Sequence, residues 1–141
     1  MSKILEINNL SINFATRDGS FTAVNNISFD IEKNKTMALV GESGSGKSVT
    51  AMSILQLLPR PQATYGKESS IKFNNKEIID AAKEDLLSIR GNIVSMIFQE
   101  PMTSLNPYHR VGNQITESIL LHSSVSKKEA IKEAMDLMSL V

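Results

Sequence analysis

A chain of 141 residues, 41% hydrophobic and 21% charged, has the size and makeup of one ordinary globular domain. Fifteen basic residues balance fifteen acidic ones, which excludes the broad basic face that duplex nucleic acid demands, so no nucleic-acid partner is expected. The absence of cysteine removes disulfides, thiolate metal sites and cysteine nucleophiles together, and fits a reducing cytoplasm.

The first thirteen residues lack the continuous apolar core of a secretory signal, and no stretch approaches the roughly 20 apolar residues that span a bilayer. Any membrane connection is therefore expected to run through a protein partner. From Ile4 to Phe14 apolar residues recur in near-alternation (Ile4, Leu5, Ile7, Leu10, Ile12, Phe14), the pattern of a half-buried strand. Arg17-Asp18-Gly19-Ser20 supplies hairpin turn chemistry. A second extended run, Phe21 to Ile31, has Val24, Ile27, Phe29 and Ile31 as its buried candidates. After the polar turn Glu32–Lys35, the continuous apolar run Thr36–Val40 reads as a strand buried on both faces.

Lys47 to Leu58 has helical periodicity, and Pro59-Arg60-Pro61 stops it. Ser70–Phe73, the turn Asn74-Asn75 and Glu77–Ile79 predict a small hairpin, and Ala82–Arg90 a helix closed by Gly91. Ile93–Phe98 is a further apolar strand by composition, followed by a Pro-containing loop from Gln99 to Arg110 and a helix over Gly112–His122. Ser126-Lys127-Lys128-Glu129 matches a capping box. The helix it opens puts Ala130, Ala134, Leu137 and Val141 on one face beside Ile131, Met135 and Met138, a stripe expected to pack in a core. That helix reaches the last residue with no capping residue, so a truncated domain is expected.

The segment between the central apolar run and the first helix carries the chemistry. Gly41-x-x-x-x-Gly46-Lys47-Ser48 satisfies G-x-x-x-x-G-K-[ST]. Glycines at 41, 44 and 46 let the backbone turn tightly and aim successive N–H groups into a concave anion nest. The helix that follows adds free N–H groups and the positive end of its dipole. Lys47 can reach the β- and γ-phosphates of ATP, and Ser48 can place its hydroxyl on Mg²⁺. The candidate nucleotide-binding set is Gly41, Glu42, Ser43, Gly44, Ser45, Gly46, Lys47, Ser48 and Val49. At the average protein usage of glycine, about 7%, a chance match in a chain this long is roughly one in two hundred.

The loop alone does not choose among kinases, GTPases and transport ATPases. Two features narrow the choice: the long antiparallel opening before the loop, and Phe98-Gln99-Glu100-Pro101-Met102-Thr103-Ser104-Leu105-Asn106-Pro107 after the apolar run beyond it. Together with Val40–Ser48 and Arg90-Gly91, these segments resemble the N-terminal half of an ABC transporter ATP-binding subunit of the oligopeptide/dipeptide importer type. The resemblance implies an α/β fold: a P-loop NTPase-like core with an N-terminal antiparallel β subdomain and the start of a helical subdomain. In that scheme 1–35 is the antiparallel β region, 36–99 part of the P-loop core, and 100–141 the Q-loop and the beginning of the helical subdomain.

By the same resemblance Gln99 is the Q-loop glutamine beside Mg²⁺ and the γ-phosphate. Phe14 is the aromatic that stacks on adenine, with Phe21 close enough to compete. The loop from Glu100 to Val111 would dock a transmembrane permease subunit. Further implied partners are a second ATP-binding subunit and, indirectly, an extracytoplasmic substrate-binding protein, with the chain peripheral on the cytoplasmic face of the membrane. His109 and His122 receive no role, and Glu84 and Asp85 read as a solvated helix face.

The sequence departs from that pattern in three places. It holds no Leu-Ser-Gly-Gly signature, no apolar strand ending in Asp-Glu, and no switch histidine, so no catalytic residue is assigned. The chain by itself is expected to bind nucleotide weakly and hydrolyse it negligibly. A non-hydrolysing nucleotide-binding module is the alternative reading. An open sheet edge and uncovered helix faces are expected as well.

Overall fold

The structure, a computed structural model, describes residues 2–99 and 104–141. It divides into two compact units, Met1–Leu86 and Leu87–Val141.

The first unit is built on a long hairpin, β1 (Lys3–Thr16) and β2 (Gly19–Glu32), closed by the Arg17-Asp18 turn the sequence predicts. β1 is the central strand. Beyond β2 on one edge, its first half pairs antiparallel with β4 (Ser70–Phe73) and its second half with β3 (Ala63–Tyr65). β5 (Lys76–Glu77) returns beside β4 through Asn74-Asn75, both at positive φ. Ser69 fills the gap between β3 and β4: its hydroxyl accepts from Ser11 N at 3.0 Å and donates to Asn9 O at 3.1 Å.

The near-alternation of β1 has a break, and the break is structural. Leu5 and Ile7 are buried, and so are Leu10 and Ile12, although the spacing between the pairs is odd. An extra residue near Asn9, which sits at φ 47°, shifts the register there. A bulge moves side chains by one position, so both pairs return to the same face. Val24, Leu55, Leu58, Ala63, Ile71, Phe73 and Ile78 complete this core. Ile27, Phe29 and Ile31, expected to be buried, are half-exposed on β2, an edge strand of the sheet.

Two expected strands do not form. Thr36–Val40 and Ile93–Phe98 have extended or irregular backbone without a strand ladder, apart from a single bridge between Arg90 and Val94. Val40 is 86% and Ile97 93% exposed. The physical reason is pairing: a strand needs a neighbour for its N–H and C=O groups, and no described strand pairs with either run.

The first helix is also shorter than its periodicity suggests. α1 covers Lys47–Ile54, and Gln56 at φ 51° turns the chain before the prolines are reached. α2 (Lys83–Ile89) ends just short of the expected Arg90, two residues before Gly91, whose φ is 76°. In the second unit α3 (Val111–His122) packs on α4 (Lys127–Ser139). The capping box is complete: Ser126 Oγ accepts from Glu129 N, and the Glu129 carboxylate accepts from Ser126 N at 2.8 Å. The Ser126 hydroxyl, which also donates to the Glu129 carboxylate at 2.6 Å, and then the Ser126 N–H hold that carboxyl below its ordinary value.

Only Ala130 and Ala134 of the α4 stripe are buried; Ile131, Met135, Leu137 and Met138 are exposed, contrary to the expected core role. One neighbouring helix can cover only one side of α4, and the small alanines are what let α3 approach it.

Candidate functional site

The glycine loop is shaped by its own side chain and backbone. Gly44 and Gly46 take φ of 81° and 87°, a left-handed region that side chains rarely adopt. A Cβ at Gly41 would lie 2.6 Å from Ser45 Oγ, a contact that the Ser45 side chain could relieve by turning away. The Lys47 ammonium folds back over the loop, donating to Gly41 O and Glu42 O at 2.7 Å each and to Ser45 Oγ at 3.3 Å. The cation is thus held at the loop by its carbonyls, with Gly41–Ser45 exposed around it.

α1 starts at Lys47 with Gly46 as its N-cap and no side-chain cap hydrogen bond. The opening N–H groups of a helix have no intrahelical acceptor, so those of Lys47, Ser48 and Val49 stand ready for an anion. The remainder of α1 is tied down. Thr50 Oγ1 donates to Gly46 O at 3.0 Å, and the buried Ser53 Oγ donates to Thr50 O at 2.6 Å. Beyond its C-terminus Gln56 Nε2 donates to the Tyr65 hydroxyl at 3.1 Å, and Arg60 lies over the Tyr65 ring while pairing with Asp80. Burial pushes the Tyr65 phenol above its ordinary value, with Arg60 opposing that shift.

These features fit a polyphosphate. The loop offers a fixed cation, exposed glycine backbone and an uncapped helix start, all within eight residues. They also fit Mg²⁺ in a specific sense. Among the described residues no group of His, Cys, Asp or Glu could hold a metal by itself. The protein would offer the exposed Ser48 hydroxyl, and Mg²⁺ commonly takes one or two protein ligands with phosphate and water supplying the rest.

Phe14 and Phe21, alternatives in the sequence, stand together. They are register partners across the hairpin, with rings stacked at 5.6 Å between centroids and 17° between planes. Phe14 is half-buried behind Phe21, which is 55% exposed. Phe21 lies two residues from Ala23, about 7 Å along a strand, and the Ala23 carbonyl meets Gly46. That contact joins hairpin to loop, and no signal in the sequence announced it.

Gln99 belongs to the second unit and is exposed. Of the expected docking loop, Glu100, Pro101, Met102 and Thr103 lie outside the described residues. The described part is braced by a residue that sequence reasoning missed, Gln114 on α3. Its side-chain amide accepts from Asn106 N at 2.9 Å and donates to Asn106 O and His109 O at 3.0 Å each. Tyr108 is held out at the tip, 93% exposed. His109 and His122 gain no site; the His122 ring rests against Gly91, where a Cβ would meet Nε2 at 2.5 Å.

Residues 24–141 match the family model described as ABC transporter. The chain is 43% identical to the oligopeptide transport ATP-binding protein OppD of Bacillus subtilis (strain 168), over all of this chain and 39% of that protein. It is 48% identical to the oligopeptide transport ATP-binding protein AppD of the same organism, over all of this chain and 43% of that one. It is 46% identical to the dipeptide transport ATP-binding protein DppD of Lactococcus lactis subsp. cremoris (strain MG1363), over 99% of this chain and 40% of that protein. The chain thus spans about two fifths of the length of these relatives. Among solved structures, a dimeric ATP-binding cassette in a post-hydrolysis state with ADP and Pi superposes with a TM-score of 0.76 at 20% identity, covering 94% of this chain and 54% of that one.

Proposed function

Because the chain belongs to the ABC transporter family, we propose that Gly41–Val49 binds the phosphates of ATP with Mg²⁺ as the ATP-binding, energy-coupling part of an oligopeptide or dipeptide importer. The observation that carries the nucleotide reading is the Lys47 ammonium seated over the Gly41 and Glu42 carbonyls at an uncapped helix start. A point charge already in place meets incoming phosphate without an ordering cost for the side chain. ATP supplies a transferable phosphoryl group; the chain's own residues bind and orient it. In this reading Ser48 and Gln99 serve the metal, and the Phe14–Phe21 pair offers a face to adenine.

The names of the relatives support peptide transport, and their ATP-binding role matches the loop. The partners follow from that role: transmembrane permease subunits, a second ATP-binding subunit, and an extracytoplasmic binding protein indirectly. No described helix is long and apolar enough to cross a membrane. In this reading the chain sits peripherally on the cytoplasmic face, docked through the loop that Gln114 braces. A calorimetric titration with Mg·ATP tests the core of this reading. The chain should bind, and Lys47→Ala should lose measurable binding; equal affinities would remove the loop from the nucleotide site.

A further inference from the structure

Between Ile12 and Asn13 of β1, β2 carries one residue too many. Ile12 faces Val24 and Asn13 faces Thr22, so Ala23 is left out of register. Both sides of this bulge are fixed. Ile12 and Val24 are buried, and Thr22 Oγ1 donates to Asn13 Oδ1 at 2.6 Å. A bulge re-aims the local backbone away from the ladder, and bulges are over-represented beside functional sites.

Here the re-aimed residue meets the glycine loop. A Cβ placed on Gly46 would stand 2.5 Å from the Ala23 carbonyl oxygen and 3.2 Å from Val24 Cγ2. The last glycine of the loop therefore rests on the bulge, and a backbone atom on the hairpin side cannot yield as a flexible side chain could. Gly46 also caps α1, so its height sets where the N–H groups of Lys47 and Ser48 stand.

We propose that the Ala23 bulge is the seat of the glycine loop, and that Ala23 and Val24 are positioning residues for phosphate binding. The inference rests on the reading of Gly41–Ser48 as a phosphate site and adds what holds that site at its height. Deleting Ala23 would restore a regular register and withdraw the support. Val24→Ala would keep the bulge and remove the side-chain contact, along with part of the core packing beside Ile12.

The test is calorimetric titration of the full chain with Mg·ATP and, separately, with magnesium tripolyphosphate, alongside circular dichroism. Deletion of Ala23 should weaken both ligands by the same factor, about tenfold, the value of one charge-assisted hydrogen bond. Val24→Ala should weaken both by about threefold, since a small apolar contact is lost. If ATP weakens while tripolyphosphate does not, the hairpin acts on the base alone and the proposal is overturned. Unchanged affinity for both ligands overturns it too. Should the deletion fail to fold, the tripolyphosphate affinity of Val24→Ala decides by the same criterion. An unaltered chain that binds neither ligand would instead refute the phosphate reading on which the inference stands.

Discussion

β1 and the still more apolar run Thr36–Val40 end in opposite environments. β1 is buried at Leu5, Ile7, Leu10 and Ile12, while Met37, Leu39 and Val40 are exposed. Composition does not separate them; access to a partner does. β1 reaches β2 through a short local turn and then collects β3 and β4 on its other edge. A parallel neighbour lies a whole crossover away in sequence, and none of the described strands serves Thr36–Val40 or Ile93–Phe98. Apolar content makes burial favourable, and the ladder makes it possible.

The sharpest way to break this comparison is a matched pair of substitutions. Ile12→Ala, at a fully buried site, should cost about 2–5 kcal/mol in denaturant unfolding. Ile97→Ala should stay within about 0.5 kcal/mol, as at other exposed positions. Equal costs would mean that Ile97 is buried in solution and that the contrast is false.

A smaller effect probes the helical pair, which lies between the two cases. Ala134→Leu should destabilise by about 1–3 kcal/mol through overpacking, because that alanine is buried while its neighbour Met135 is exposed. A neutral result would show that α3 does not press on α4 there.

The smallest effect concerns local structure that needs no distant partner. Ser126→Ala should cost about 1 kcal/mol by removing the α4 cap. The cap also carries a pH signature. Hydrogen bonds from Ser126 lower the Glu129 carboxyl in the folded chain, so its contribution is complete above the ordinary carboxylate value. It is lost as pH falls through the lowered folded value. Helicity followed by circular dichroism should therefore show an acid-side loss in the parent chain that is reduced in Ser126→Ala; identical profiles would exclude the link.

Much of the site was legible because its logic is local. The glycines, Lys47 and Ser48 lie within eight residues, and the loop they form needs only permissive dihedrals and a following helix. The hairpin, the small β4–β5 turn and the α4 capping box were readable for the same reason, since each couples residues a few positions apart. α1 was misjudged by its C-terminal turn because Gln56 takes a left-handed conformation and bonds Tyr65, a tertiary contact that periodicity cannot register.

The sequence by itself therefore determined the loop motif at Gly41–Ser48, the antiparallel opening and the family likeness, all carried by short-range patterns. Only the tertiary structure decided which apolar runs are buried, that the Phe14 and Phe21 rings stack, that Gln114 braces the loop before α3, and that Gly46 stands against the Ala23 bulge. Those outcomes depend on atoms brought together from separate parts of the chain, where burial and close approach are set by the neighbour and not by the residue alone.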